Sequence, residues 1–368
     1  MIYPATLEHL DALVALENRS FDTDRLSRRS FRHLLTRGNA VLLVDEEGGR
    51  LRGYVAILFN AGISLARLYS IAVDNVFKGQ GIGHALVAAA EQAALDGECV
   101  AMRLEVRRDN TASLALFRRM GYREFGSYED YYEDHMGALR FEKVLVPHLS
   151  PDVLPIRYYR QTLDFTCGPA ALMMAMGALD PGLAFSRHME LRIWRESTTI
   201  FMTAGHGGCG PYGLALAAWQ RGFACEVFVN DEGALFTDSV RSAEKKEVMR
   251  LVQEDFVAEI EQLALPLHYR QLSLAEMRSR FEAGGIPVVL ISSYRIYHEK
   301  FPHWVVVTGF DDRYVYVHDP YVDEEKGKTV TDCMNMPILQ KDFERMARYG
   351  KSGLRAAMII SRREEHKP

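Results

Sequence analysis

The sequence predicts two folded domains, an α/β domain followed by an α+β domain. Three observations carry this. The chain has 368 residues, more than one hydrophobic core ordinarily holds. Strand-like and helix-like segments alternate through its first 146 residues. Beyond Pro147, Pro151 and Pro155 the order changes, with helices first and β-branched strands later. The expected boundaries are a first domain over residues 1–146, a linker over 147–157 and a second domain over 158–360.

In the first domain, Leu7, Leu10, Leu13 and Leu16 recur at helical spacing across residues 7–20. Residues 40–45 and 51–59 are apolar runs around Glu46-Glu47-Gly48-Gly49, which reads as a hairpin. Residues 66–74 form a strand and run into a glycine loop. An alanine-rich helix follows over about 83–95, then a strand over 100–107 and a helix over 110–120.

In the second domain, residues 167–179 and 212–221 have helical character. Residues 241–283 are strongly charged with helical spacing and read as an insertion, a candidate lid. Residues 286–292, 303–310 and 314–318 are apolar and β-branched, hence strands. The last residues, 361–368, are charged and expected to fray.

Composition excludes several classes. Hydrophobic residues make up 48% and charged residues 25%, a globular balance. The net charge of −5 gives no nucleic-acid footprint. No run is apolar over the length a bilayer demands. The N-terminus is amphipathic and acidic, unlike a signal peptide. The five cysteines, Cys99, Cys167, Cys209, Cys225 and Cys333, are odd in number and scattered, which fits a reducing cytoplasm. His206 and Cys209 share a glycine-rich stretch, but two ligands do not make a zinc site, and no metal is expected.

Two motifs carry chemistry. The first is the run Lys78, Gly79, Gln80, Gly81, Ile82, Gly83, His84 between a strand and a helix. Glycines there let backbone N–H groups approach an anion, and the helix dipole adds attraction. With the later segment LEVRRDNTASLALFRRMGY, this block resembles the GNAT acetyltransferase superfamily over residues 1–145. It is most similar to the branch typified by ribosomal-protein alanine acetyltransferases. The resemblance implies a mixed sheet with helices on both faces and acetyl-CoA as the donor. It implies pyrophosphate on the amides of residues 79–84 and a pantetheine arm along Ile71, Ala72 and Val73. It assigns Asn110 to cofactor holding, Glu105 to the general base, and Tyr131 and Tyr132 to the peptide site. Two departures stand out. Lys78 replaces the usual Arg or Gln ahead of the glycines. Phe117 replaces the tyrosine that would protonate the leaving thiolate, and phenylalanine has no proton to give.

The second motif is QTLDFTCGPAA over residues 161–171, read with PHWVVVTGFDDRYVYVHDP over 302–320. Pro169 favours a first helical turn, so Cys167 belongs at a helix N-terminus, where the dipole stabilises a thiolate. Residues 303–310 and 314–319 predict a hairpin turning near Asp312. Symmetry about that turn sets His303 opposite Asp319 or Pro320, within reach for a carboxylate to fix an imidazole tautomer. Gln161, six residues before Cys167, has a side-chain amide that can donate to an oxyanion. The order Gln, Cys, His, Asp resembles papain-like cysteine peptidases of the branch that cleaves bacteriocin leader peptides. The resemblance covers residues 156 to about 345, and GCGPYGLALAAWQRGF adds to it. It assigns Gln161 as oxyanion donor, Cys167 as nucleophile, His303 as base and Asp319 as orienter. His298 and His318 flank the constellation and read as solvent or supporting residues.

Together these motifs predict a bifunctional enzyme acting on a peptide or protein substrate, with no nucleic-acid or membrane partner. One domain acetylates an amine and the other cleaves an amide through a thioester. Two alternatives fit the same residues. The cysteine domain could be an amidase or transpeptidase on a small amide, since only the acyl acceptor differs. The chain could also be a peptide-binding module regulated by acyl-CoA sensing.

Overall fold

The computed structural model describes residues 1–36, 38–146, 149, 152–198, 207–237 and 240–363. The chain divides into two units, Met1–Leu149 and Ser150–Pro368. Pro147, Pro151, His206 and the last five residues, all named in the sequence reading, lie outside the described residues.

The first unit runs β1 (Ile2–Pro4), α1 (Leu10–Ser20), α2 (Arg28–Thr36), β2 (Ala40–Glu47), β3 (Arg50–Phe59), β4 (Leu65–Val73), α3 (Ile82–Asp96), β5 (Ala101–Arg107), α4 (Thr111–Arg119), β6 (Arg123–Tyr128) and β7 (Ala138–Val144). Its sheet has the order β1-β2-β3-β4-β5-β7-β6. β4 and β5 are parallel and the other neighbours antiparallel, so the sheet is mixed. Period-2 alternation feeds two cores. Leu43, Val55 and Ile57 pack with Leu86, Val87 and Ala90 of α3 and Phe117 of α4. Leu42, Val44, Tyr54 and Ala56 pack with Leu13 and Leu16 of α1 and Phe31 of α2. Helices therefore cover both faces, which is a GNAT-like α/β fold.

One irregularity in this sheet matters for chemistry. β3 pairs Ala56 with Ser70 and Ile57 with Leu68, so Tyr69 is an extra residue on β4. Such a bulge bends its strand. Beside it, β4 and β5 pair only through Leu65–Ala101, Ala66–Met102 and Arg67–Arg103. Beyond Arg67 the parallel strands part, and the stretch Ile71–Ala72–Val73 keeps β3 as its ladder neighbour.

The second unit runs β8 (Asp152–Val153), α5 (Cys167–Leu179), α6 (Arg187–Ser197), α7 (Pro211–Gln220), β9 (Phe223–Val229), α8 (Ala243–Gln262), β10 (Leu267–His268), α9 (Leu274–Glu282), β11 (Ile286–Ser292), α10 (Tyr294–Tyr297), β12 (Pro302–Phe310), β13 (Tyr314–His318), α11 (Val330–Cys333), β14 (Met336–Leu339), α12 (Gln340–Met346) and β15 (Ala356–Arg362). Its sheet has the order β10-β9-β15-β11-β12-β13-β14, with β8 on β12. The unit is rich in sheet, and α5 packs along β12, β11 and β15. α5 is apolar all round because it is buried all round.

Three expectations change here. Part of the stretch read as linker joins the sheet: β8 pairs with Gly309 and Phe310, and Leu154 N donates to Thr308 O at 2.8 Å. Only glycine fits at 309, because a Cβ there would stand 2.3 Å from Asp152 O. The charged stretch 241–283 is built into the unit. α8 packs on α7, α9 packs on β11, and β10 extends the sheet beside β9. Its charges line one exposed side, while Met249, Gln253 and Ile260 are buried. The C-terminal stretch supplies the inner strand β15, and Arg362 donates to Leu179 O.

Candidate active sites

In the first unit the glycine loop fits an anionic ligand. Gly81 is the N-cap of α3 at φ 79°, in the left-handed region that glycine tolerates, and no side chain caps the helix. Gly79 has φ 82°, and a Cβ on either residue would meet nothing within 4 Å. The loop is thus a backbone cradle facing open space at a helix N-terminus. Because β4 and β5 part beyond Arg67, Ile71, Ala72 and Val73 have no ladder partner on β5. Asn110 caps α4 by accepting from Ser113 N at 3.1 Å, which commits its carbonyl oxygen.

Glu105 on β5 is buried against Arg67 on β4, with Oε2 2.9 Å from a guanidinium nitrogen. Glu105 Oε1 is buried without a hydrogen-bond partner. Arg67 also donates to the Tyr131 hydroxyl at 2.8 Å. Tyr131 stacks on Tyr128 and meets Tyr132 edge-on. The structure therefore brings Glu105, Tyr131 and Tyr132 together, with Arg67 as a link that the sequence reading missed. Burial pushes the hydroxyls of Tyr131 and Tyr132 well above the usual phenol range. Phe117 is buried and meets Tyr122 edge-on at 5.4 Å.

In the second unit Cys167 opens α5, as expected. Gly168 lets this end pack tightly, since a Cβ there would come within 3.2 Å of Trp304 and 3.3 Å of Cys209. His303 Nε2 lies 2.6 Å from Asp319 Oδ1. The ring also interacts with Cys167, whose hydrogen bond favours the imidazolium. Burial is the largest single influence and pushes His303 down. The charge and hydrogen bond of Asp319, joined by Cys167, outweigh it and hold His303 at about 10. Burial pushes Asp319 up, but His303, the Tyr297 hydroxyl and the Tyr321 amide hold it below the usual carboxylate range. Tyr297 OH donates to Asp319 Oδ2 at 2.7 Å and Tyr321 N to Oδ1 at 2.8 Å. His303 and Asp319 are essentially closed to solvent, and Cys167 is 9% exposed.

The hairpin register differs from the symmetric expectation. β12 and β13 pair Val306 with His318 and Val307 with Val317, then shift near Thr308. Continuing that register would set His303 against Tyr321, so Asp319 reaches His303 diagonally. On its other side His303 pairs with Ile291.

Gln161 sits beside this group because its N–H donates to Pro320 O at 2.9 Å. Its side-chain Nε2 donates to Leu163 O at 2.8 Å, while Oε1 is buried without a partner. Tyr158 OH donates to Asp319 O. His318 is structural: its ring lies 2.9 Å from Ile156 O, and Nδ1 accepts from Asn335 N. His298 is an exposed helix cap at φ 59°. Sequence reasoning missed Tyr158, Tyr297 and Glu190, because no motif marks them.

All five cysteines are free and buried. Burial pushes the Cys99 thiol up to about 12 and those of Cys209, Cys225 and Cys333 far above the usual range. Among the described residues, no three His, Cys, Asp or Glu side chains could hold a metal ion. No described helix is long and apolar enough to cross a membrane.

Comparison with known proteins agrees with this division. The Acetyltransferase (GNAT) family profile matches residues 8–122. A protein named putative [ribosomal protein bS18]-alanine N-acetyltransferase, from Bacillus subtilis, is 31% identical over 130 residues, 35% of this chain and 84% of that protein. N-alpha-acetyltransferase RimI of Mycobacterium tuberculosis is 39% identical over 93 residues, 23% of this chain and 53% of that protein. The solved ribosomal-protein-S18-alanine N-acetyltransferase of Escherichia coli is 22% identical. It covers 41% of this chain and 98% of its own, with a TM-score of 0.37. The profile described as the Peptidase_C39 like family matches residues 156–361. The chain belongs to the GNAT acetyltransferase family through its first unit and to the Peptidase_C39 like family through its second.

Proposed function

We propose that the protein is a bifunctional peptide-modifying enzyme of the cytoplasm, an acetyl-CoA-dependent N-acetyltransferase joined to a cysteine peptidase of papain-like fold. The observation that carries the peptidase half is the buried His303–Asp319 pair facing Cys167 at a helix N-terminus.

In this reading the Cys167 thiolate attacks the carbonyl carbon of a peptide amide. The carbonyl π pair becomes an oxyanion, met by the second N–H of Gln161 and the first amides of α5. The intermediate collapses, the C–N bond breaks, and His303 gives its proton to the leaving amine. Water, deprotonated by His303, then hydrolyses the thioester and restores the thiol. Asp319 performs no chemistry; it fixes the tautomer and stabilises the imidazolium. If an amine intercepts the thioester instead, the outcome is transpeptidation.

For the other half, acetyl-CoA supplies an activated acetyl thioester, as it does throughout the GNAT acetyltransferases. The amides of residues 79–84 bind its pyrophosphate, Lys78 adds charge, and Asn110 contributes its side-chain NH₂. The freed edge of Ile71–Ala72–Val73 pairs with the extended arm. Tyr131 and Tyr132 line the peptide site. Glu105 takes the amine proton at Oε1, the oxygen that Arg67 does not hold. The acceptor is a peptide N-terminus, by likeness to relatives named for acetylating a ribosomal protein. Phe117 favours a second reading of this unit, acyl-CoA sensing without turnover.

The test is intact-mass spectrometry of candidate peptides with and without acetyl-CoA. The proposal expects one acetyl group gained in the first case and a shortened peptide in both. Binding of acetyl-CoA with no acetylated product would leave only the sensing reading. No cleavage of any peptide or small amide would remove the cysteine chemistry.

A further inference from the structure

Glu190 on α6 is fully buried and takes four hydrogen bonds, all from one short loop and all from neutral donors. Oε1 accepts from Thr162 N at 2.8 Å and from the Thr166 hydroxyl. Oε2 accepts from Tyr159 OH at 2.9 Å and the Thr162 hydroxyl at 2.7 Å. Burying a carboxylate without a cation is costly, and such hydrogen bonds are what offset it. The donors span Tyr159 to Thr166, the stretch that carries Gln161 and leads into Cys167, so one carboxylate grips it at both ends.

Thr166 is the N-cap of α5, yet its side chain makes no capping hydrogen bond. A threonine there ordinarily accepts from an amide of the first turn. Here Pro169, third in the helix, has no N–H to offer. The hydroxyl lies instead against Glu190 and 2.8 Å from Leu163 O. The amides of Cys167 and Gly168 consequently keep their first-turn freedom.

We infer that Glu190 is a positioning residue: by drawing Thr162 and the Thr166 hydroxyl onto its carboxylate, it keeps the first amides of α5 and the Gln161 side chain aimed at an oxyanion on the carbon bonded to Cys167. This rests on the peptidase reading above. Glu190 touches neither substrate nor reacting atoms.

The test compares two reactions of Cys167 in the full chain. With N-acetyl-alanyl-alaninal, the sulfur adds to the aldehyde carbon, a C–S bond forms and the C=O π pair becomes an oxyanion. No group leaves, and carbon-13 NMR reads the adduct. Iodoacetamide alkylates the same sulfur by displacing iodide and creates no oxyanion. Glu190→Gln keeps the shape and loses the charge and one acceptor oxygen. The expected result is aldehyde affinity down at least about tenfold, with the alkylation rate within about twofold, because only the first needs the donors. Thr162→Val, which removes one donor and leaves the carboxylate, should give a smaller loss and serves if Glu190→Gln fails to fold. Unchanged aldehyde affinity in both variants, or equal losses in both reactions, would overturn the positioning role. A parent protein that alkylates no faster than His303→Ala and binds no aldehyde would overturn the peptidase reading, and the role of Glu190 with it.

Discussion

His303 Nε2 stands 2.6 Å from Asp319 Oδ1, although the two are not ladder partners. The pair is closed to solvent, and Tyr297 and the Tyr321 amide hold the carboxylate from its other sides. This is the arrangement expected of an oriented base, and its ring also interacts with the Cys167 thiol.

Cys167 should be the first thiol to react. All five are buried, but burial pushes the other four thiols upward, whereas Cys167 interacts with His303. A limiting dose of iodoacetamide at pH 6.5, read by peptide mapping, should label it ahead of Cys99 and Cys333. Prior labelling of either would break the link between helix end, imidazole and reactivity.

Removing the base should cost more than removing its orienter. His303→Ala should lower amide cleavage by about 10²–10⁴-fold, the range for a positioned acid–base group, and slow alkylation at pH 6. Asp319→Ala should leave slow residual cleavage. Tyr297→Phe should cost about 1–3 kcal/mol of stability, because a buried carboxylate loses a donor. Chemical denaturation and steady-state rates check all three. An alkylation profile of His303→Ala identical to the parent's would show that the two side chains do not interact.

Stability should depend on pH through this pair. His303 is raised to about 10 from an ordinary value of 6.5, so its contribution is full below 6.5 and fades as pH rises towards 10. Asp319 is lowered, so its contribution is present above its ordinary 3.8 and is lost as pH falls through its depressed value. Denaturation of the parent between pH 6 and 9.5 should show a falling stability difference relative to His303→Gln. A constant difference would show that His303 takes up no proton on folding.

The glycine loop should hold the donor's anion. Gly81→Asp forces a side chain into a backbone at φ 79° and sets a carboxylate in the cradle. The strain alone is about 1–3 kcal/mol. Calorimetry should find acetyl-CoA binding lost in this variant while Cys167 alkylation is unchanged. Equal affinity in variant and parent would refute the loop assignment.

Two substitutions separate turnover from binding in the first unit. Phe117→Tyr supplies a hydroxyl where the family resemblance expects the thiolate's proton donor, and acetyl transfer should rise at least about tenfold with donor affinity unchanged. Glu105→Gln should lower transfer more than donor binding. It should also cost about 3 kcal/mol of stability, because the buried Arg67 loses the carboxylate charge that faces it. An unchanged rate in Phe117→Tyr would show that protonating the thiolate is not limiting.

The sequence alone determined the elements that carry the chemistry. Gly81 before an alanine-rich run, and Cys167 before Gly168-Pro169, mark helix starts through local backbone rules, which need no distant partner. The β-branched runs at 286–292, 303–310 and 314–318 mark strands for the same reason. Register was another matter. The turn centres later than Asp312, pairing Phe310 with Val315, and the shift near Thr308 takes back only one residue, so His303 still misses the symmetric partner. Neither the turn's exact centre nor a bulge is recorded in the pattern. Glu190, Tyr297 and Arg67 carry no motif at all. Each sits on an element distant in sequence from the residue it holds, and a buried charge reads in sequence like a solvated one. Only the tertiary structure could decide that the charged stretch 241–283 is built into its unit and that β15 runs inside the sheet. Those placements depend on which apolar faces meet, and every amphipathic segment offers several partners until the chain is folded.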